Sequence, residues 1–236
     1  YPGDGYTLTS TNLPHLFLQP LEGNVQYKTD DIVNVYFYHY TPDAIVVRSE
    51  SPFKTYQDLV KAAKGKPGSL NVGGSALNSA NHMAHERWNS ATGIKSTYVP
   101  FKGTSDIVAS LLGGHVDMAM SYVTLAISQK GKTRMLAIAT EKRHPQFPDT
   151  PTFKELGIDW VDGAYRGISV PKSTPEDIRK KLSSMFSEIN KDADFRQKMS
   201  EAGFELIDVT YDKVPAFMAE RGKVYVDLAK KMGLVK

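Results

Sequence analysis

The chain has 236 residues, of which 41% are apolar and 23% charged, and its formal net charge is +3. These values are typical of one globular domain or of two small ones. The absence of cysteine excludes disulfides, thiol nucleophiles and cysteine-ligated zinc. The basic residues are dispersed, with pairs such as Lys180-Lys181 and Lys230-Lys231, so no nucleic-acid partner is expected. No apolar run approaches the roughly 18 residues of a membrane span.

Strand-like and helix-like segments alternate with short Gly- or Pro-containing connections, which predicts an α/β fold with mostly parallel strands. The predicted strands are, in chain order, Tyr6–Thr9, Ile32–Tyr40, Ala44–Val47, Leu70–Val72, Thr97–Phe101, Val116–Met120, Met135–Thr140, Ile168–Pro171 and Leu206-Ile207. The predicted helices are Tyr56–Ala63, one from Ser79, one from Gly103, one after Thr174 as its cap, Asp194–Ala202 and 212–231.

Helical spacing identifies the faces that two of these helices turn to the core. In the helix from Ser79 the inward face is expected to be Ala80, Met83, Ala84 and Trp88. In the helix after Thr174 one face is formed by Ile178, Leu182, Met185, Phe186 and Ile189.

The loop from Gly73 to Ser79 is the most informative segment, because small residues connect a strand to a helix start. Glycines allow close approach of the backbone, and free N–H groups with the positive end of the helix dipole favour an anion such as a carboxylate or phosphate. Neither the Walker A pattern nor the dinucleotide-binding pattern is present. From these residues alone, an ordinary tight strand-to-helix turn is the better-supported interpretation of the loop.

A second strand-to-helix connection, Pro100–Ser105, also places hydroxyl groups, those of Thr104 and Ser105, at a helix start. Lys102 either adds a positive charge there or is solvated. Open α/β sheets bind ligands beyond the carboxyl ends of their strands. Two such loops in succession therefore favour a shared cleft.

The sequence gives little support to two enzymatic interpretations, a zinc site and a serine nucleophile. His82, His85 and Glu86 do not have the His-Glu-x-x-His order of a zinc site, and no third ligand is evident. A serine nucleophile would use Ser75 or Ser79 with His82, but the Gly-x-Ser-x-Gly elbow is absent. We therefore expect no catalytic residues, no metal and no cofactor.

Tyr165 and Arg166 precede Gly167 and the strand Ile168–Pro171. An aromatic ring beside a guanidinium is typical of a cleft wall that binds a carboxylate. A solvent-exposed arginine on a loop is the equally supported alternative.

The chain resembles the tripartite tricarboxylate transporter substrate-binding (TctC or Bug-type) family in an ordered series of motifs. These are Asp4–Leu8, Ser51–Thr55, Gly73–Ser79 followed by His82–Ala84, Val99–Gly103, Leu111–Asp117, Leu136–Thr140, Arg143, Pro148–Thr152 and Gly167–Pro175. Each motif is weak alone, but the ordered set covers essentially the whole chain.

The resemblance implies a type II periplasmic-binding-protein fold, with two doubly wound α/β lobes and a hinge. The expected division is lobe 1 from 1–43 and 165–236 and lobe 2 from 44–164. The resemblance further implies a periplasmic monomer that captures a small carboxylate and delivers it to a membrane permease. A ligand-sensing domain or an enzyme on the same scaffold is the alternative.

Transferred residue by residue, the resemblance implies a ligand site drawn from both lobes. Its residues are Gly74, Ser75, Ala76, Asn78, Ser79, Thr104, Ser105, Ser121, Tyr165 and Arg166.

Some residues depart from the family pattern. Gly74, Ala76 and Asn78 replace the commoner Ser, Gly and Gly. Ser121 stands where many members carry an Asp suited to an amino group, so a ligand without an amino group, such as a dicarboxylate, is expected.

The front of the chain also departs from the pattern. The family usually has two further βα units before the Asp-Gly-Tyr-Thr-Leu segment, so we expect roughly 60 more residues before Tyr1 in the native chain. A 1–236 chain by itself is then expected to fold poorly and not to bind.

Overall fold

The computed structural model describes residues 1–23 and 25–233. A short 3-10 turn spans Thr29–Asp31. The strands and helices, in chain order, are β1 (Thr9–Leu13), α1 (His15–Glu22), β2 (Ile32–Arg48), α2 (Tyr56–Gly65), β3 (Asn71–Ser75), α3 (Ala80–Thr92), β4 (Thr97–Phe101), α4 (Thr104–Leu112), β5 (Met118–Tyr122), α5 (Val123–Ser128), β6 (Thr133–Ile138), β7 (Gly163–Pro171), α6 (Glu176–Lys191), α7 (Ala193–Glu201), β8 (Glu205–Val209) and α8 (Val214–Lys231). None of the helices in this described part is long and apolar enough to cross a membrane.

The chain divides into two compact units. Unit 1 comprises Tyr1–Tyr40 and Ala164–Lys236, and unit 2 comprises Thr41–Gly163. The sequence placed the divisions at 43/44 and 164/165. That the units act as lobes closing on a ligand stays a prediction.

In unit 2 the strands follow the order β6-β2-β5-β3-β4, with β2 as the antiparallel neighbour of both β5 and β6. Strand β3 is parallel to β4 and to β5. Helix α3 connects β3 to β4 and α4 connects β4 to β5, as in repeated β-α-β units. The carboxyl ends of β3, β4 and β5 therefore lie at the same edge of the sheet.

Alternation along β2 supplies both faces of the unit 2 sheet. Ile45 and Val47 join the cluster that contains Trp88, Phe153 and Trp160. Ala44 and Val46 join the cluster on the opposite face, which contains Ile107 and Leu111 of α4. The sheet is thus buried on both sides, which fixes the position of its strand ends.

In unit 1 the strands β1, β7 and β2 are successive neighbours, and β8 pairs with β2. Buried polar groups help to hold α6 on this sheet. The Tyr36 hydroxyl donates to Asp208 at 2.7 Å and accepts from the Asn190 amide at 2.9 Å. The Ser187 hydroxyl reaches the same Asp208 oxygen at 2.9 Å.

These contacts explain why part of the predicted α6 face was wrong. Met185 and Ile189 are 53% and 50% exposed, although the spacing placed them inward. The side of α6 that is buried carries Ser183, Ser187 and Asn190, because their hydrogen bonds lie on the sheet side. In α3, by contrast, all four residues expected to face inward are buried.

The prediction of mostly parallel strands is wrong for the described residues, because β3 is parallel to β4 and β5, whereas β1 with β7 and β2 with β5, β6 and β8 are antiparallel. Three local predictions also differ from the structure. The first strand begins at Thr9 and not at Tyr6. Strand β2 runs continuously through Pro42, because pairing with β8 ends at Tyr40 and pairing with β5 starts at Asp43, so the missing N–H of proline interrupts neither ladder. Thr174 does not cap α6, since the residue before the helix is Pro175 and no side chain caps it.

Two carboxylates lie buried in unit 2, close to where the chain enters and leaves it. Asp43 and Asp162 are 4% and 5% exposed. Asp162 accepts from Arg87 at 3.0 Å, whereas Oδ1 of Asp43 is buried with no hydrogen-bond partner. Burial raises the pKa of Asp43 well above its usual range, the charge of Asp162 raises it further, and Arg87 opposes both effects.

Asp43→Asn should therefore stabilise the protein at neutral pH. The folded protein holds the Asp43 proton at a pH where the unfolded chain has released it, so stability falls as pH rises above the usual Asp pKa of about 4. The gain should be largest near neutrality and should vanish near pH 3. Urea denaturation across this pH range measures it.

Asp162→Asn is the matched control. It removes the partner of Arg87 and should lower the free energy of unfolding at pH 7. A loss of stability for Asp43→Asn at pH 7 would contradict a raised pKa of Asp43 in the folded protein.

Candidate functional site

The loop between β3 and α3 is held by its own side chains. Ser79 is the N-cap of α3, 3% exposed, and its Oγ accepts from the His82 N–H at 3.3 Å. This hydrogen bond supplies an acceptor to one of the backbone N–H groups in the first turn of α3, which have no partner within the helix. Ser79 thus fixes where the positive end of the α3 dipole lies.

Asn81 lies in the first turn of α3 and forms hydrogen bonds with Ser75 at the end of β3. Its Oδ1 accepts from the Ser75 backbone N–H at 3.2 Å and from the Ser75 hydroxyl at 2.7 Å. Since a backbone N–H can only donate, the facing atom is the amide oxygen and not the nitrogen. The Asn81 Nδ2 group is then left as a donor, and it is buried with no hydrogen-bond partner.

Asn78 has the left-handed backbone conformation, with φ of 59°. Its N–H donates to Nδ1 of His82 at 3.1 Å, which requires a lone pair on that nitrogen. Burial is the main cause that lowers the pKa of His82. Nδ1 of His82 therefore accepts a backbone hydrogen bond that holds the loop.

The middle of the loop faces outward. Ala76 is exposed and Leu77 is 59% exposed. Gly74 is buried and Ser75 half-buried. The accessible part of the loop is thus backbone and an apolar side chain, beside the N-terminus of a 13-residue helix.

The second loop lies beside the first. In the β3–β4 ladder Ser75 is opposite Phe101, and Thr104 starts α4 three residues later. Thr104 and Ser105 are both exposed, as is Lys102. The predicted juxtaposition of the two loops at one sheet edge is therefore present.

Ser121 comes to the same edge on β5. It is 1% exposed, pairs with Ala44 of β2, and its Oγ is buried with no hydrogen-bond partner. The neighbouring parallel strands β3 and β4 end in Ser75 and Phe101, and Ser121 is the last residue but one of β5, which ends at Tyr122. Two of the polar groups here, Asn81 Nδ2 and Ser121 Oγ, are buried without a hydrogen-bond partner, which is energetically unfavourable.

Tyr165 and Arg166 lie on β7 in unit 1. Tyr165 is 6% exposed and its ring lies 5.2 Å from that of Tyr40. Arg166 is half-buried, and its Nη1 donates to the Tyr165 carbonyl oxygen at 3.1 Å. A role for either residue in ligand binding stays a prediction.

Sequence reasoning missed Arg221 of α8, which packs on Tyr165. Its guanidinium lies 5.2 Å from the centroid of the Tyr165 ring, and Nη1 is 3.3 Å from the Tyr165 hydroxyl. The contact combines cation–π attraction with a hydrogen bond. A pairing between residues 56 positions apart carries no local sequence signal.

Residues 1–23 and 25–233 hold no group of three or more His, Asp or Glu side chains arranged for a metal ion. His85 is committed elsewhere, since its ring nitrogens lie 2.9 Å from Glu86 Oε1 and 2.8 Å from Ser96 Oγ. Burial lowers the pKa of His85 to about 4.

An α/β architecture with two loops gathered at the carboxyl ends of parallel strands is typical of proteins that bind a ligand at this edge of the sheet. The family model described as "Tripartite tricarboxylate transporter family receptor", TctC, matches residues 2–234. The chain belongs to this family, whose members are solute receptors and not enzymes. The resemblance noted in the sequence, and the fold class expected from it, are confirmed.

Individual relatives agree with this assignment. The "UPF0065 protein in gbd 5'region" of Cupriavidus necator is 30% identical over 99% of this chain, which spans 72% of that relative's length. A TctC solute-binding protein from Polaromonas is 28% identical, with a TM-score of 0.79 over 98% of this chain and 80% of its own. The structure of R. palustris Rpa4515 with adipate shares the fold, with 24% identity and a TM-score of 0.88 over 99% and 80% of the two chains.

Proposed function

We propose that the protein captures a small dicarboxylate without an amino group and delivers it to the membrane permease of a tripartite transporter. It acts as a monomer in the periplasm. Family membership supports a receptor outside the cytoplasm that serves a transporter. The adipate carried by one neighbour of the same fold supports a dicarboxylate.

The observation that carries the proposal is the set of unsatisfied donors at the end of the unit 2 sheet. Asn81 Nδ2 and Ser121 Oγ are buried without partners, and the N-terminus of α3 adds a positive partial charge. A buried donor without an acceptor costs about 1–3 kcal/mol. A carboxylate has four lone-pair sites to offer, so its binding would remove this cost.

The absence of an amino group follows from Ser121. A serine hydroxyl offers an ammonium group a neutral partner in place of a carboxylate. A charge-assisted hydrogen bond contributes about 1.5–3 kcal/mol, which corresponds to roughly a ten- to hundredfold difference in affinity. Amino acids should accordingly bind more weakly than the corresponding diacids.

The distal carboxylate is assigned to Arg166. Arg166→Ala should weaken adipate binding by about tenfold, because a guanidinium–carboxylate pair is lost, and should leave hexanoate, the monoacid of equal length, unchanged. Calorimetric titration of both acids against wild type and variant measures the difference.

Arg143→Ala is the matched control, because Arg143 is an exposed arginine of unit 2 that pairs with Glu155 at 3.0 Å. It should change neither affinity. If Arg166→Ala weakens the binding of adipate and hexanoate equally, or of neither, Arg166 does not bind the distal carboxylate.

A further inference from the structure

Tyr98 of β4 occupies the space that Gly74 leaves free. A Cβ atom on Gly74 would lie 2.3 Å from the Tyr98 hydroxyl oxygen and 2.7 Å from two of its ring carbons. Gly74 is not among the residues with positive φ, so space and not backbone conformation excludes a side chain there. The tyrosine ring and the candidate loop are therefore fitted to each other.

The Tyr98 hydroxyl donates to the Ser75 carbonyl oxygen at 2.5 Å. Ser79 Oγ approaches the same carbonyl at 3.3 Å. In a trans peptide the C=O of one residue and the N–H of the next point in opposite directions in one plane. Holding the Ser75 carbonyl thus also fixes the direction of the Ala76 N–H, an amide of the exposed part of the loop.

The ring of Tyr98 is itself held in place. The rings of His82 and His85 lie 4.6 and 5.1 Å from it. His85 is anchored by Glu86 and Ser96. Burial raises the pKa of Tyr98, so the hydroxyl stays protonated and remains a donor.

We propose that Tyr98 is a positioning residue for carboxylate capture. By holding the Ser75 carbonyl, it points the Ala76 N–H toward the bound carboxylate. This inference rests on the proposed function, because it assigns the carboxylate to the loop of unit 2. It adds a residue from a neighbouring strand that need not touch the ligand.

Tyr98→Phe tests the role of the hydroxyl while retaining the ring. Adipate affinity, measured by calorimetry, should fall about tenfold, as expected for one misaligned hydrogen bond to a charged group. In the ligand-free protein the amide resonance of Ala76 should also shift in a ¹⁵N–¹H correlation spectrum, because its peptide plane is no longer held.

Tyr56→Phe is the control for a general loss of stability. Tyr56 is another buried tyrosine of unit 2, and its hydroxyl accepts from Trp88 Nε1 at 3.0 Å. This variant should lower the melting temperature but leave adipate affinity and the Ala76 resonance unchanged. Equal effects of the two substitutions on affinity would overturn the proposal.

A second pair of variants tests the fit between ring and glycine. Gly74→Ala should weaken adipate binding, because the new methyl group displaces Tyr98. In the Tyr98→Val variant, which lacks the ring, the additional substitution Gly74→Ala should weaken adipate binding only slightly further. Full additivity of the two losses would show that Gly74 and Tyr98 do not act together.

The outcomes also separate this inference from the function on which it rests. If the wild type binds no dicarboxylate while Tyr98→Phe shifts the Ala76 resonance, the proposed function fails and only the loop-holding role stands. If adipate binds the wild type and Tyr98→Phe equally well, with no shift of the Ala76 resonance, the positioning role is overturned and the function stands.

Discussion

Gly163→Ala should destabilise the protein by about 3 kcal/mol, at the upper end of the usual cost of overpacking. A Cβ at this position would lie 2.0 Å from the Thr41 carbonyl oxygen and 3.0 Å from the Pro42 Cα. Both contacts are to backbone, which cannot yield by rotating a side chain. The residue also donates its N–H to Asp162 Oδ1 at 2.9 Å, so any displacement disturbs the buried carboxylates as well.

Gly65→Ala is the matched control for this substitution. Gly65 is the last residue of α2 and has no atom within 4 Å of the position that a Cβ would take. Alanine favours the helical conformation over glycine by up to about 1 kcal/mol, so this variant should be neutral or slightly stabilising. Urea denaturation should separate the two variants, and equal stabilities would contradict the close contact at Gly163.

Trp88→Ala should cost about 4 kcal/mol, in the range for truncating a large buried aromatic side chain. Trp88 is fully buried among the apolar side chains of unit 2. Its Nε1 donates to the Tyr56 hydroxyl at 3.0 Å, which joins α3 to α2. The substitution leaves a cavity and removes this donor. Because α3 begins at the candidate loop, adipate affinity should fall as well.

Trp88→Phe separates the two contributions. Phenylalanine refills part of the cavity but has no N–H. The decrease in the free energy of unfolding should therefore lie between those caused by Tyr56→Phe and by Trp88→Ala. The free energies of unfolding, taken from urea melts of all three variants, give the order. A cost below about 1 kcal/mol for Trp88→Ala would mean that this core can collapse around the missing ring.

Sequence periodicity predicted the buried face of α3 and misjudged that of α6, for a physical reason. The buried positions of α3 are mostly apolar, Met83 and Trp88 among them, so hydrophobic spacing coincides with burial. On α6 the buried side carries Ser183 and Ser187, whose burial depends on hydrogen-bond partners far away in the chain. Spacing identifies an apolar face, but it does not show which face another element covers.

The candidate site was predicted in part for a similar reason. Small residues at a strand-to-helix junction indicate an exposed backbone, which located the loop of Ser75 and Ser79. The contribution of Tyr98 depends on the parallel register that places it next to the loop. Gly74 is the sequence feature that could have indicated this contact, because a glycine inside a strand often marks a close approach by another group.

Isothermal titration of the full-length protein with adipate, glutarate, glutamate and glucose tests most directly whether this protein is a receptor for dicarboxylates without an amino group. We expect adipate to bind, glutamate to bind roughly ten- to hundredfold more weakly than its amino-free analogue glutarate, and glucose not to bind. Tight binding of glucose with no binding of any carboxylate, or a preference for glutamate over glutarate, would contradict the account.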